Sequence, residues 1–256
     1  MKTIVHVVDY LMPDMGYQEF LLPKWNAKSG YEVYIITSDR YYPLDNYDDT
    51  WGKTIGKRIC GTSKISYKGV NIIRLPTLFE FKARPFIKGL TKEISNLDPD
   101  LLFIHGTGSF SIYQCALSFR NSNFKKFADN HMIIEIIQKG WIQSIYYFLH
   151  KFFMKRFISK YMDVFFGVTQ DSCDYLETYE GVSRTKLKLL SLGVDTEIFY
   201  PLKECKNFKS DSLILQSGKL DDYKKPQWTA RAVLTLLENG QDINLKLIGN
   251  GSTEII

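Results

Sequence analysis

Short β-branched runs recur along this chain, each closed by a turn and separated from the next by a stretch with helical spacing. That alternation constrains the fold more than any other feature. The runs are 3–8, 32–37, 70–75, 101–105, 125–128, 164–169 and 187–191. Runs that are apolar at nearly every position suit strands buried on both faces, the situation in a parallel sheet covered by crossover helices. The spacing predicts helices over about 18–29, 83–97, 109–122, 139–160 and 171–179, and it predicts pairing of 64–67 with 70–75 across a tight turn. The expected class is α/β, a doubly wound sheet.

Between 201 and 212 the sequence turns polar, and the pattern then restarts with a strand at 213–217, a helix at 228–238, a strand at 244–248 and the turn 249–251. We place the domain boundary there. Residues 1–205 read as a complete N-terminal, acceptor-side Rossmann-like domain, and 206–256 as the first strand-helix-strand part of a second, donor-binding one. One such unit cannot bury both faces of a sheet, so the second domain is expected to be incomplete.

Composition narrows the function classes. A net charge of +5 argues against a dedicated nucleic-acid binder while leaving room for an anionic substrate or membrane surface. Cys60, Cys115, Cys173 and Cys205 are widely separated with no CxxC pair, as expected of free thiols in a reducing compartment. Asp9 ends the first apolar run too early for a secretory signal, and no stretch approaches the roughly 20 apolar residues of a membrane span. A cytoplasmic protein, peripheral on the cytoplasmic face of the membrane, is the expectation.

Ligands of open α/β sheets bind at the carboxyl ends of strands, beside helix N-termini that carry partial positive charge. Three loops qualify. In Asp14–Glu19, Gly16 either permits backbone approach to a ligand or merely makes the turn, and no GxGxxG follows the strand. After the strand at 125–128, Asp129 and His131 stand where an imidazole could steady a substrate or leaving group, unless the backbone satisfies it. His105, at another strand end, is a weaker candidate of the same kind. The third loop, Ser217–Pro226, combines Gly218 with Lys219, Lys224 and Lys225 ahead of a helix; this suits a diphosphate or is simply a solvated charge run. Asp98-Pro-Asp100 looks like a metal-binding DxD but precedes its strand, at the wrong end of the sheet, and reads as a turn. The four histidines show no metal-ligand spacing.

Gly193-Val-Asp195-Thr-Glu-Ile-Phe199-Tyr-Pro201, followed by Gly218-Lys219 to Lys224 and by Leu247-Ile-Gly249-Asn-Gly251, resembles the GVDxxxFxP, GRLxxxK and GxG pattern of family 4 glycosyltransferases, retaining enzymes of GT-B fold. The opening Pro13, Gly16, Glu19 loop and the Gly30, Glu32, Val33 segment fit as well. The resemblance implies that Gly16 contacts the donor, that His131 lies near the donor sugar as the catalytic residue, and that Gly218, Lys219 and Lys224 hold the diphosphate. It adds Asp195, with His105 and Asp129, as candidate substrate-loop residues. It implies no metal and no cofactor beyond the nucleotide-sugar co-substrate, because cations stabilise the leaving group. Lys219 replaces the family's usual arginine and loses its bidentate fork. The paired glutamates of the family would lie beyond Ile256, so this stretch alone is expected to be inactive.

From Lys139 to Lys160 there are five Lys or Arg, no acid and seven aromatics. Ile142, Ile145, Tyr146, Leu149, Phe152 and Phe153 make one helical face, expected to pack on the sheet. Tyr147, Met154 and Ile158, edged by Lys151 and Lys155, make a second strip, expected to rest on an anionic membrane that presents a lipid-linked acceptor. The leading expectation is a hexosyltransferase acting on a saccharide or lipid-linked acceptor in cell-surface polysaccharide or glycolipid assembly. A nucleotide-sugar epimerase of the same fold and a non-catalytic sugar- or nucleotide-binding module are the alternatives.

Overall fold

The computed structural model describes residues 1–256 apart from 45, 50, 135–139, 202–211, 219, 221–223 and 250–256, and without the side chains of 142, 143 and 146. The chain divides into two compact units, Met1–Asp195 and Thr196–Ile256. This division cuts the Gly193–Pro201 segment. Most of the polar stretch read as a boundary from sequence lies among residues 202–211, outside the described set.

The first unit runs β1 (Thr3–Val8), α1 (Gln18–Lys28), β2 (Glu32–Ser38), α2 (Gly52–Ile55), β3 (Ser63–Tyr67) and β4 (Val70–Leu75). It continues β5 (Thr77–Glu80), β6 (Pro85–Ile87), α3 (Leu90–Leu97), β7 (Leu101–His105), α4 (Phe110–Ser118) and β8 (Lys125–Asn130). α5 (Trp141–Phe153), β9 (Val164–Gly167), α6 (Gln170–Glu180) and β10 (Leu187–Leu189) complete it. The main sheet has the order β10-β9-β8-β7-β1-β2-β4-β3, parallel except for β3, which pairs antiparallel with β4. From β1 the chain winds outward through β2 to β4, then returns to the other edge of β1 as β7. The order therefore reverses between β1 and β7, and the crevice of such a sheet opens at the carboxyl ends of those strands.

Strand alternation sorts the core. Val5 and Val7 of β1 pack with Leu90, Ile94, Ile112, Met154 and Leu176 on one face, while Val8 joins Phe20 of α1, Val33 and Ile35 on the other. Next to β9 the packing is too close for any side chain. A Cβ on Gly167 would lie 2.5 Å from Cys173 Sγ and 2.6 Å from its backbone nitrogen.

Two sequence expectations need correction. The helix expected over 83–97 begins only at Leu90. Before it, β5 and β6 form an antiparallel hairpin. Lys82 and Ala83 turn that hairpin at positive φ (45° and 56°), and Gly89 caps α3 in the left-handed region, so the backbone cannot be helical earlier.

The second correction concerns the basic, aromatic helix, whose two faces are exchanged. Met154 and Ile158 are in the core, Tyr147 stacks edge-on against Tyr179 at 5.6 Å, and buried His150 Nδ1 lies 2.8 Å from the Tyr113 hydroxyl. Ile145, Leu149, Phe152 and Phe153, expected inside, are exposed. Tyr147, His150, Met154 and Ile158 follow one another at spacings of three to four residues and share one face, and Met154–Ile158 forms a π-helical turn after α5. Among the described residues no helix is long and apolar enough to cross a membrane.

The second unit consists of β11 (Ser212–Ser217), α7 (Pro226–Glu238) and β12 (Ile243–Ile248), with the two strands parallel. Leu220, Pro226 and Val233 are buried in it, whereas Leu213, Leu215 and Ile248 are exposed.

Candidate active site

After β1 a 3-10 turn, Pro13–Met15, ends at Gly16, whose φ of 70° suits glycine. Tyr17 then starts α1 without a side-chain cap. The first amides of an α-helix have no intrahelical acceptor, so this end of α1 offers donors and partial positive charge. It borders a cleft of about 510 Å³ whose walls include Gly16, Gln18, Trp25, His131 and the 190–195 loop. Gln18 Oε1 is buried without a hydrogen-bond partner among the described residues, which leaves an acceptor for a ligand hydroxyl.

His131 follows β8 with 39% of its side chain exposed, and its Nε2 stands 3.7 Å from Oδ2 of fully buried Asp129. Asp129 is held from several sides: Oδ1 accepts from Gly106 N at 3.0 Å, and Oδ2 accepts from Gln18 Nε2 at 3.3 Å and pairs with His105 Nδ1 at 2.9 Å. Beneath it, His105 Nε2 lies 3.1 Å from His6 Nδ1, and His6 Nε2 lies 3.1 Å from Asn26 Nδ2 of α1.

This geometry sets the electrostatics. Burial alone would raise the Asp129 carboxyl. The charge and hydrogen bonding contributed by His105 and His131 outweigh burial and hold it well below the usual carboxylate range. The hydrogen bond of Asp129 and the charges of Asp129 and Glu19 push His131 upward against partial burial. Burial, with His105 beside it, pushes His6 far down. His131 at the cleft is therefore more readily protonated than a free imidazole, while buried His6 beneath the site is held toward its neutral form. Protonated His131 and the amides of α1 can together receive an anion or a developing negative charge. Among the described residues no cluster of three or more His, Cys, Asp or Glu is placed to hold a metal ion.

The structure brings Gly16 and His131 to one cleft. Asp129 and His105 lie below it, buried, so they touch a ligand only through their neighbours. Asp195 borders the same cleft, but its carboxylate is 3% exposed and paired with Lys24 Nζ at 2.6 Å, which fixes the 190–195 loop to α1. Asp98 caps α3 in the left-handed region and Asp100 Oδ2 accepts from Thr3 N at 2.7 Å, both at the opposite end of the sheet.

Gly218 and Lys224 belong to the second unit. Gly218 ends β11, and its N–H donates to the Ile248 carbonyl at 2.9 Å. A Cβ on Gly249 would sit 1.7 Å from the Gly218 carbonyl oxygen, so the end of β12 must be bare backbone, while Gly218 has open space around it and is set apart by its φ of 139°. Lys224 is exposed just ahead of Lys225, which caps α7 at φ 52° before Pro226. Lys219 lies outside the described residues. Sequence reading missed His6, Gln18, Trp25 and Asn26. His6 sits inside an apolar run and the other three inside a helix, and no local pattern marks them.

The profile described as Glycosyltransferase Family 4 matches residues 24–198, more than half of the chain. The chain belongs to glycosyltransferase family 4. Among solved structures, this family 4 chain is similar to sucrose-phosphate synthase from Thermosynechococcus elongatus, with a TM-score of 0.61 and 14% identity over 99% of this chain and 64% of that one. It is also similar to a glycosyltransferase from Rickettsia africae ESF-5, with a TM-score of 0.55 and 12% identity over 99% and 69% of the two chains. Both are GT-B glycosyltransferases, and at such identities the likeness establishes the fold: α/β, of GT-B type. The chain thus spans 64% of the synthase's length. No curated protein matches it.

Proposed function

We propose that this protein transfers a hexose-type sugar from a nucleoside-diphosphate sugar to a saccharide or lipid-linked acceptor, with retention at the anomeric carbon. The product would enter cell-surface polysaccharide or glycolipid assembly. The observation that carries the reading is the cleft in which uncapped α1, Gly16 and the Asp129-backed His131 face one another. A donor sugar placed there has His131 as a hydrogen-bond partner, and the negative charge that develops as the diphosphate departs meets the amides of α1. Within the second unit, Gly218, Lys219 and Lys224 match the family pattern for backbone access and cations toward a diphosphate, which supports a reaction without a metal. Asp195 orients the 190–195 wall of the cleft through Lys24.

For the acceptor side, α5 supports attachment to an anionic membrane, through the face opposite to the one its sequence suggested. Trp141 (76% exposed), Ile145, Phe148 (71%), Leu149, Phe152 and Phe153 are solvent-facing, and Phe152, Phe153 and Phe157 cluster with ring centroids 5.6–6.3 Å apart. Lys151, Lys155, Arg156 and Lys160 line a groove beside Phe148 and Phe152. Aromatics flanked by cations suit the interface of an anionic bilayer, where a lipid-linked acceptor is presented at the height of the protein.

The test is to express the protein from its complete reading frame and screen nucleotide sugars for release of nucleoside diphosphate. The product's anomeric configuration is then read by NMR. Release with a particular donor, and retention in the product, is the expected result. Release from none of the donors, with or without a saccharide acceptor, would overturn the proposal.

A further inference from the structure

His6 and His105 are costly places for polar side chains. Both are buried in adjacent central strands, stacked at 5.3 Å between ring centroids and surrounded by Phe103, where two apolar residues would fill the same space. Their hydrogen bonds have a single direction. Asn26 Nδ2 can only donate, so His6 Nε2 accepts. A neutral imidazole then carries its proton on Nδ1, and His6 Nδ1–H donates to His105 Nε2. His105 in turn carries its proton on Nδ1 and donates to Asp129 Oδ2. With Asn26 donating through Nδ2 and each ring carrying one proton, every step follows from the one before, and the chain ends on the carboxylate beneath His131.

We infer that His6 and His105 are positioning residues for His131: the ordered chain Asn26–His6–His105–Asp129 fixes the carboxylate that orients and charges the imidazole in the cleft. The inference rests on the reading that His131 meets the donor sugar. Among the described residues, the charged and titratable groups facing His131 are Asp129 from β8, Glu19 from α1 and, elsewhere on the cleft wall, Tyr17 and the Asp195 carboxylate with its partner Lys24. Of these, Asp129 alone contacts the histidine chain. A single-direction chain supplies one N–H to that carboxylate from below and leaves its other edge to His131.

The test needs no turnover, so its failure is distinguishable from failure of the transferase reading. The full chain labelled with 15N-histidine is examined by long-range proton–nitrogen NMR at about pH 7.5, well above the ordinary histidine value. His6 and His105 are expected as Nδ1–H tautomers, the minor form of a free imidazole. An Nε2–H tautomer at either ring, or two protons on His105, would overturn the chain. The titration of His131 is then followed in two variants. His105→Asn keeps a nitrogen donor where Nδ1 stood and should leave it within about 0.3 pH unit of the parent, whereas His105→Leu should move it by about half a unit or more. Equal behaviour of the two variants would reduce His105 to a packing residue. If the leucine variant does not fold, the tautomers and the asparagine variant still decide. Where the protein from the complete reading frame turns over, the pH profile of kcat should follow the same order, parental for asparagine and displaced for leucine.

Discussion

His131 Nε2 stands 3.7 Å from Asp129 Oδ2, the imidazole partly in the cleft and the carboxylate wholly out of water. The pair raises the His131 pKa, so its contribution to stability is present below the unfolded value of about 6.5 and lost as pH rises through the folded value. Asp129 itself titrates far below this window and contributes equally across it. Asp129→Asn should therefore lower the His131 pKa. The stability gap between parent and variant should be wider near about pH 6 than near about pH 8.5, by less than ~1 kcal/mol given the exposure of His131. Chemical denaturation at the two pH values measures this. A gap that widens with pH would contradict the pairing.

Asp9 sits half-buried just after β1, and desolvation there pushes its carboxyl up to about 7 despite the Ser111 hydroxyl donating to it at 2.7 Å and the charge of Arg84. A raised acid is protonated in the folded chain and ionised in the unfolded one between about pH 4 and 7, so its presence costs stability progressively as pH rises through that window. A rise of three units would correspond to a ceiling of about 4 kcal/mol. Asp9→Asn keeps an acceptor for Ser111 and should stabilise the protein at about pH 8 by ~1–3 kcal/mol, with the gain fading toward about pH 4. Thermal melts of both proteins across this range would show it.

Gly167→Ala should be disruptive, because the new methyl group would meet Cys173 Sγ at 2.5 Å and its nitrogen at 2.6 Å. Both atoms belong to the start of α6, which cannot retreat without leaving β9. A loss of about 1–3 kcal/mol is expected, read as a lower denaturation midpoint.

Lys24→Met should remove the 2.6 Å ion pair that Lys24 makes with the Asp195 carboxylate, which is 3% exposed. Removal of one partner of a buried pair costs about 3–5 kcal/mol, while the double variant Lys24→Met, Asp195→Leu should recover part of it. Additive losses in the cycle would show the two residues to be uncoupled.

The proposed membrane attachment of α5, and the face that makes it, are tested by flotation with anionic vesicles at low salt. Phe148→Ser with Phe152→Ser should weaken binding about 10-fold or more, and Tyr147→Phe, on the packed face, should not change it. Equal binding by all three proteins would remove the membrane role of α5.

Most of the sheet is legible from local pattern, because strands covered on both faces must be apolar at successive positions. β1, β4, β7 and the β3–β4 pairing lie where the sequence predicts. What fails is whatever depends on phase or on distant partners. The two faces of α5 were ranked by apolar content alone. Tertiary structure chose the less apolar one, because His150 finds Tyr113 there, Tyr147 finds Tyr179 and Met154 enters the core. The helix expected from 83 yields to a hairpin because the backbone at Lys82, Ala83 and Gly89 has positive φ. Gly16 and His131 were visible as residues at strand ends. His6, Gln18 and Asn26 gain their roles only when β1, α1 and β8 come together, and no spacing in the sequence encodes that meeting.

The most direct test of the transferase reading is the rate of nucleoside-diphosphate release by His131→Ala against the parent, both expressed from the complete reading frame, at saturating donor. The structure predicts a loss of about 100-fold or more in kcat with a much smaller change in donor KM, because the imidazole faces charge that develops only as the bond breaks. Parental kcat in the variant would contradict the assignment of this cleft as the active site.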